Sequence, residues 1–391
     1  MDYEFDRVID RRSTDSFKWN MNRQVFGTAD VLPMWVADMD FRVPEQVIEA
    51  LVRRASHGLF GYPCKPDTFY EAVMSWFERH YGWTIRKEWI VATPGVVPAL
   101  CTAMTAFTAP GDGIVFQPPV YYLFEQSVRN NGRRALENRL RCCEDEYSFD
   151  MDDLQEKAGE AKMLILCSPH NPVGRVWTKG ELKNILKVCS ENEIFLFSDE
   201  IHADLVFPGQ RHIPAGLPGT LKENLICAYS ASKTFNLAGL GLSINVIPGK
   251  RTREKFQQAL QASALWLSNI FGMVGTEAAY RHGDEWLAKL MVYMEDNYRL
   301  VRNELARKVP EIRVPRPQAT YLLWMDCRGM GMTDEELEDF FVKKAKLGLD
   351  TGKMFGPGGE GFMRMNIACP RSTVQKALDS LATAWDQRGR T

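Results

Sequence analysis

The sequence predicts an α/β fold: a large, mostly parallel sheet flanked by helices, plus a smaller α+β unit. Short apolar runs alternate with helical patterns between residues 89 and 247, the mark of βαβ units and a parallel sheet. Residues suited to chemistry fall just past the carboxyl ends of those runs, where such sheets bind ligands. Beyond residue 252 the alternation gives way to a long helical stretch, then strand, helix, strand, helix.

In chain order, residues 1–30 are polar and aromatic with little periodicity and read as an arm. Residues 31–41, with Trp35 and Ala37, are densely apolar yet carry Asp38 and Asp40. They line a core or wall an active site, where backbone amides near Ala37 could meet a substrate carboxylate. Pro44 to Ser56 has helical spacing, and Asp67 can cap a helix to about Tyr81. Between them lies a Gly/Pro turn with Tyr62 at its centre. Trp89 to Ala92 is a strand, followed by a glycine turn and a helix from Ala99 to Phe107. A strand, a glycine turn and a helix start can cradle a phosphate with free amides and the helix dipole, though a plain βα turn looks the same. Gly113 to Gln117 is a strand leading to Tyr121, which can pack in the core or lie on a planar ring, with a helix from about Leu123.

Lys162 to Cys167 is a strand with a continuous apolar run, ending in the turn 168–174, which carries Asn171, and Thr178 caps a helix from Lys179 to Asn192. Ile194 to Ser198 is a strand ending at Asp199, with His202 three residues on. Leu225 to Tyr229 and Leu242 to Ile247 are further strands. Residues 252–309 read as helical, with one amphipathic piece from Glu285 to Lys308. Thr320 to Met325 and Gly361 to Ile367 are strands; Asp334 to Lys346 and Ser372 to Asp386 are helices. Arg364 lies mid-strand, where a cation needs an anionic partner or a cleft wall. The domain division expected is an arm over 1–44 that joins the small domain, a large domain over 45–284, and the rest of the small domain over 285–391.

Bulk properties narrow the function. A net charge of −2 argues against nucleic acid and anionic membranes as partners. The nine cysteines, Cys142 and Cys143 adjacent among them, show no Cys-x-x-Cys and no ladder of paired spacings, and read as free thiols in a reducing compartment. The acidic N-terminus has no apolar leader, and no run reaches the length of a membrane span, so a cytoplasmic protein is expected. Six dispersed histidines with no thiolate cluster argue against a metal site.

The stretch 229–241 carries the chemistry. Lys233 follows an apolar strand and sits among Ser230, Ser232 and Thr234. A lysine buried there tends to lose its proton, and the neutral amine can condense with an aldehyde. Serines beside it can hold a phosphate. Together these features suggest pyridoxal 5'-phosphate, although Ser-x-x-Lys alone also fits a surface lysine. A pyridine cofactor needs a carboxylate at its ring nitrogen, for which Asp199 is the candidate. Asn171 can donate to its 3-oxygen, and His202 can hold Asp199 or approach that oxygen.

The segments 168–174, 199–202, 230–236 and 362–366 together resemble the fold type I pyridoxal-phosphate enzymes, the aspartate-aminotransferase-like proteins. Residues 32–41, 199–202 and 368–371 are further similar to the MalY/PatB group of cystathionine β-lyases, or cysteine-S-conjugate β-lyases. The resemblance implies that Lys233 binds the cofactor aldehyde and moves protons. It places Asp199 at the ring nitrogen, Asn171 at the 3-oxygen and Tyr121 on the ring. The amides of Val96 and Val97 and the hydroxyls of Ser230 and Ser232 would meet the phosphate. Tyr62 would reach it from the second subunit of a homodimer, with Tyr62 or Tyr121 assisting proton transfer. Arg364 would clamp the substrate carboxylate, beside Asn171, Ala37 and Trp35.

Two positions depart from the wider aminotransferase pattern. Eight residues after Lys233, where many aminotransferases carry a phosphate-binding arginine, stands Gly241, and three after Asp199, where a tyrosine is common, stands His202. The resemblance implies β-elimination, releasing a thiol, pyruvate and ammonia from a cysteine conjugate such as L-cystathionine. The alternatives are an aminotransferase and a regulator that binds other proteins.

Overall fold

The computed structural model describes residues 3–221 and 223–388. A seven-stranded sheet comprises β1 (Ile90–Thr93), β2 (Gly113–Phe116), β3 (Arg134–Glu137), β4 (Ala161–Cys167), β5 (Phe195–Asp199), β6 (Leu225–Tyr229) and β7 (Ser243–Val246). Their spatial order is β1-β7-β6-β5-β4-β2-β3. The apolar runs are continuous because both faces of the sheet are covered. Met163, Ile165, Phe195, Phe197 and Ile226 pack into one core, while the alternate residues Leu164, Leu166, Leu196, Leu225 and Cys227 pack into the other. The segment 242–247 departs from the parallel expectation: β7 runs antiparallel to both of its neighbours, making the sheet mixed.

Several boundaries move for identifiable reasons. The helix expected from Ala99 begins at Val96, because its N-cap is Gly95 and no side chain is needed there. Asp67 is the first helical residue and not the cap; Pro66 holds the cap position, and the Asp67 carboxylate pairs with Lys87 at 2.5 Å. Thr178 does cap its helix, in a capping box with Glu181. The stretch 252–309 is three helices, Lys250–Ala262, Ile270–His282 and Asp284–Lys308, broken first after Ala262, where Ala264 takes a φ of 54°, and again at Gly283. The helix begun at Asp334 changes to a wider π turn over Phe340–Lys344.

A second sheet holds β8 (Leu322–Asp326), β9 (Asp350–Thr351) and β10 (Phe362–Asn366), in the order β8-β10-β9 and antiparallel throughout. The N-terminal segment is sewn onto this unit. Leu32–Pro33 pairs in parallel with Leu347–Gly348, and Asn366 N donates to Met34 O at 2.8 Å. The arm is pinned by charge. Arg11 donates to Asp38 and Asp40, each at 2.7 Å, and the buried Lys18 Nζ donates to Asp40 at 2.8 Å. This network fixes the backbone around Ala37 against the large sheet.

Candidate active site

The carboxyl ends of β1, β4, β5 and β6 open into one cavity of about 290 Å³. Its lining includes Val96, Val97, Tyr121, Asn171, Asp199, His202, Ser232, Lys233 and Arg364, with Trp35 and Ala37 from the N-terminal segment. The sequence-selected residues therefore converge, with two exceptions. Tyr62 is 89% exposed and lines none of this cavity. Ser230 is buried one step behind it: its Oγ donates to Leu242 O at 2.6 Å and lies 2.7 Å from Ser232 Oγ. Its proton is committed to the backbone, so Ser232 is the hydroxyl that faces the cavity.

Lys233 follows β6 in a short helical turn capped by Ser230. Its Nζ donates to Ala37 O at 2.7 Å, and Tyr321 Oη donates to the same carbonyl at 3.0 Å. Burial, reinforced by the charge of Arg364, brings the amine down to about 8, while Asp38 and Asp199 oppose the fall. Asp199 ends β5 and accepts from Ile201 N at 3.1 Å. Burial lifts its carboxyl to about 7, against the pull of that amide and of Lys233. An amine and a carboxyl in one cavity thus both titrate near neutrality, a pattern of sites that move protons.

His202 does not hold Asp199: no hydrogen bond joins them, and its buried Nδ1 has no partner. Burial, then the charges of Lys233 and Arg364, bring its imidazole down to about 3, so it is neutral. Burial raises the Tyr121 phenol well above its ordinary value. Ala37 presents its carbonyl to Lys233, where the sequence suggested its amide for a substrate.

Arg364 is buried in β10 and meets groups from three parts of the chain. Nη1 donates to Asn171 Oδ1 at 2.9 Å, Nη2 donates to Trp35 O at 2.9 Å, and Nη2 also pairs with Asp350. The bond to Oδ1 fixes the Asn171 amide and leaves its NH₂ free to donate. Three contributors escaped the sequence reading. Tyr321, Asp350 and Cys167 belong to none of the motif segments, and only the folded register brings Asp350 opposite Arg364.

These residues fit pyridoxal phosphate. An uncapped helix start over Val96 and Val97, an inward hydroxyl at Ser232, a buried amine and a buried carboxyl share one concavity. Gly241 lines the same end at a φ of 55°, so no cationic side chain stands at that position.

Among the described residues, no helix is long and apolar enough to cross a membrane, and no cluster of three metal-ligating side chains exists. The aminotransferase class I and II family matches residues 29–381. The chain is 41% identical to cystathionine beta-lyase PatB of Bacillus subtilis, over 97% of this chain and 99% of that protein. Cystalysin from Treponema denticola, whose crystal structure contains pyridoxal 5'-phosphate, superposes with a TM-score of 0.96 at 35% identity, covering 99% of this chain and 100% of that one. The pyridoxal-phosphate-bound C-S lyase of Staphylococcus hominis superposes with a TM-score of 0.91 at 31% identity, covering 98% of each chain. By sequence and by fold, the chain belongs to the class I and II aminotransferase family.

Proposed function

We propose that the protein is a pyridoxal-phosphate-dependent carbon–sulfur β-lyase acting on L-cystathionine or a related cysteine conjugate. The observation that carries this reading is the convergence of Lys233, Asp199, Asn171 and Arg364 on one cavity beside an uncapped helix start. The PatB and C-S lyase relatives support the same reaction class.

When bound, the cofactor supplies an electron sink that makes the Cα proton of an amino acid removable. The amides of Val96 and Val97 and the Ser232 hydroxyl would hold its phosphate, with Ser230 bracing Ser232. Asp199 would keep a proton on the ring nitrogen, the Asn171 NH₂ would donate to the 3-oxygen, and Tyr121 would pack against the ring. Arg364 takes the α-carboxylate and so orients Cα toward Lys233. Lys233 Nζ, near 8 and aimed by Ala37 O, removes the Cα proton. The Cβ–S bond then breaks and the sulfur leaves with the electron pair as a thiolate, a tolerable leaving group at a thiol pKa of roughly 8.5. With one water, cystathionine becomes homocysteine, pyruvate and ammonia.

Tyr62 completes the site from a second copy of the chain in this reading. It is 89% exposed, next to Phe60 at 58% and Leu59 at 69%, an apolar patch of the kind that marks an interface. The deciding assay is pyruvate release from L-cystathionine with no keto acid added. Product that appears only when a keto acid is supplied would make the protein an aminotransferase.

A further inference from the structure

The carboxylate-binding end of the cavity holds a group that the proposed reaction does not use. Asp350 is buried, lines the same cavity as Arg364, and faces it directly across the β9–β10 pairing. Arg364 Nη2 donates to Asp350 and to Trp35 O, Nη1 donates to Asn171, and Nε alone lacks a partner. A carboxylate binds a guanidinium best through two parallel N–H donors. Every edge of Arg364 that could serve includes a terminal nitrogen already donating.

We propose that Asp350 is a built-in competitor for the substrate carboxylate: it presets the Arg364 guanidinium, then yields that donor and takes up a proton as the amino acid docks. This rests on the reading of Arg364 as the clamp. The physical reason is charge. Two carboxylates on one buried guanidinium leave one negative charge without a counter-ion in a desolvated site, and one of them is then neutralised. The ionisable groups facing Asp350 are Arg364 on β10 and the phenols of Tyr121 and Tyr122 from the loop after β2. Asp199, His202 and Lys233 line the rest of the cavity. Among the described residues no second cation faces Asp350, and neither phenol is ionised near neutrality, because burial raises both. Burial also pushes the Asp350 carboxyl upward while Arg364 restrains it, so losing Arg364 frees it to protonate. Asp350 acts through Arg364 and is a positioning residue.

The test is calorimetric titration of the cofactor-loaded protein with propionate, a carboxylate that has no amine and cannot react. Two buffers of different ionisation enthalpy count the protons exchanged. The wild type should take up protons on binding, and its propionate affinity should rise as pH falls. Asp350→Asn should bind propionate about tenfold more tightly at neutral pH, the effect of one pKa unit of coupling, with no proton uptake. Binding by the wild type with no proton uptake, or weaker binding by Asp350→Asn, overturns the proposal; the wild-type count needs no variant to fold. Arg364→Lys separates the two readings. Unchanged propionate affinity there removes the clamp and this proposal with it. Lost affinity there, with no uptake in the wild type, overturns the role of Asp350 alone.

Discussion

The two ends of the cavity solve opposite problems. At the Lys233 end, an amine and a carboxyl are buried without close ionic partners, and both titrate near neutrality. At the Arg364 end the charges are paired: Asp350 faces Arg364, and Asn171 and Trp35 O accept from its terminal nitrogens, leaving only Nε without a partner. The first end is under-satisfied and ready to receive a polar cofactor. The second is self-satisfied and must be opened by what binds there. The reactive end is thus left energetically unfinished, and the recognition end is closed on itself.

The largest expected effect falls on the reactive end. Lys233→Ala should lower pyruvate release from L-cystathionine by about 10³-fold or more, within the range for removing a positioned acid–base group. The fold should persist by circular dichroism; an active Lys233→Ala protein would erase the distinction between the ends. Asp199→Asn should cost about 10²–10³ in kcat, the size seen when one buried electrostatic partner is lost. On the closed end, Arg364→Met should destabilise the protein by about 3–5 kcal/mol in denaturant titration, because Asp350 is left buried and unpaired. Adding Asp350→Leu to that variant should restore part of the loss. If the double variant is no more stable than the single one, the ion pair does not organise that end.

The unfinished end also predicts a pH dependence for the cofactor-free protein. The Asp199 carboxyl is raised from 3.8 to about 7, so its folded form favours the proton. Its contribution is fully present below the unfolded value and is lost as pH rises through 7. The Lys233 amine is lowered from 10.5 to about 8, so its contribution is present above the unfolded value and is lost as pH falls through 8. Both penalties therefore overlap between pH 7 and 8. Asp199→Asn should raise the stability of the cofactor-free protein in that window, by up to about 4 kcal/mol at one pKa unit per 1.4 kcal/mol. Lower stability there would mean that Asp199 is well solvated or paired.

The two ends also differ in how far they could be read from sequence. Lys233 and Asn171 follow a buried strand and Asp199 ends one, and a parallel sheet carries such positions to one rim, so local pattern sufficed. The closed end depends on register between distant segments. Asp350 belongs to a two-residue strand, and its partner lies 14 positions later; Trp35 reaches Arg364 across 329 positions. No periodicity in a single sequence encodes such pairings. The antiparallel course of β7 was hidden for the same reason, since an apolar run carries no direction. Tyr62 was picked out by its turn, yet within one chain it lies away from the cavity.

The smallest prediction probes how finely the unfinished end is built. Ser230 and Ser232 are two residues apart and look equivalent in sequence, but the strand-to-helix turn separates their tasks. Ser230 Oγ donates to Leu242 O and accepts from Ser232 N at 3.1 Å, so it is both cap and brace. Ser232 alone reaches the cavity. Ser232→Ala should weaken cofactor binding by the worth of one hydrogen bond to a charged group, about 1.5–3 kcal/mol. Ser230→Ala should instead lower thermal stability by the cost of a lost cap, about 1 kcal/mol, with a smaller change in cofactor affinity. Fluorescence titration with pyridoxal phosphate and a melting curve on each variant separate the two effects. Equal losses of affinity would show that both hydroxyls hold the phosphate, with Ser230 turning from Leu242 to reach it.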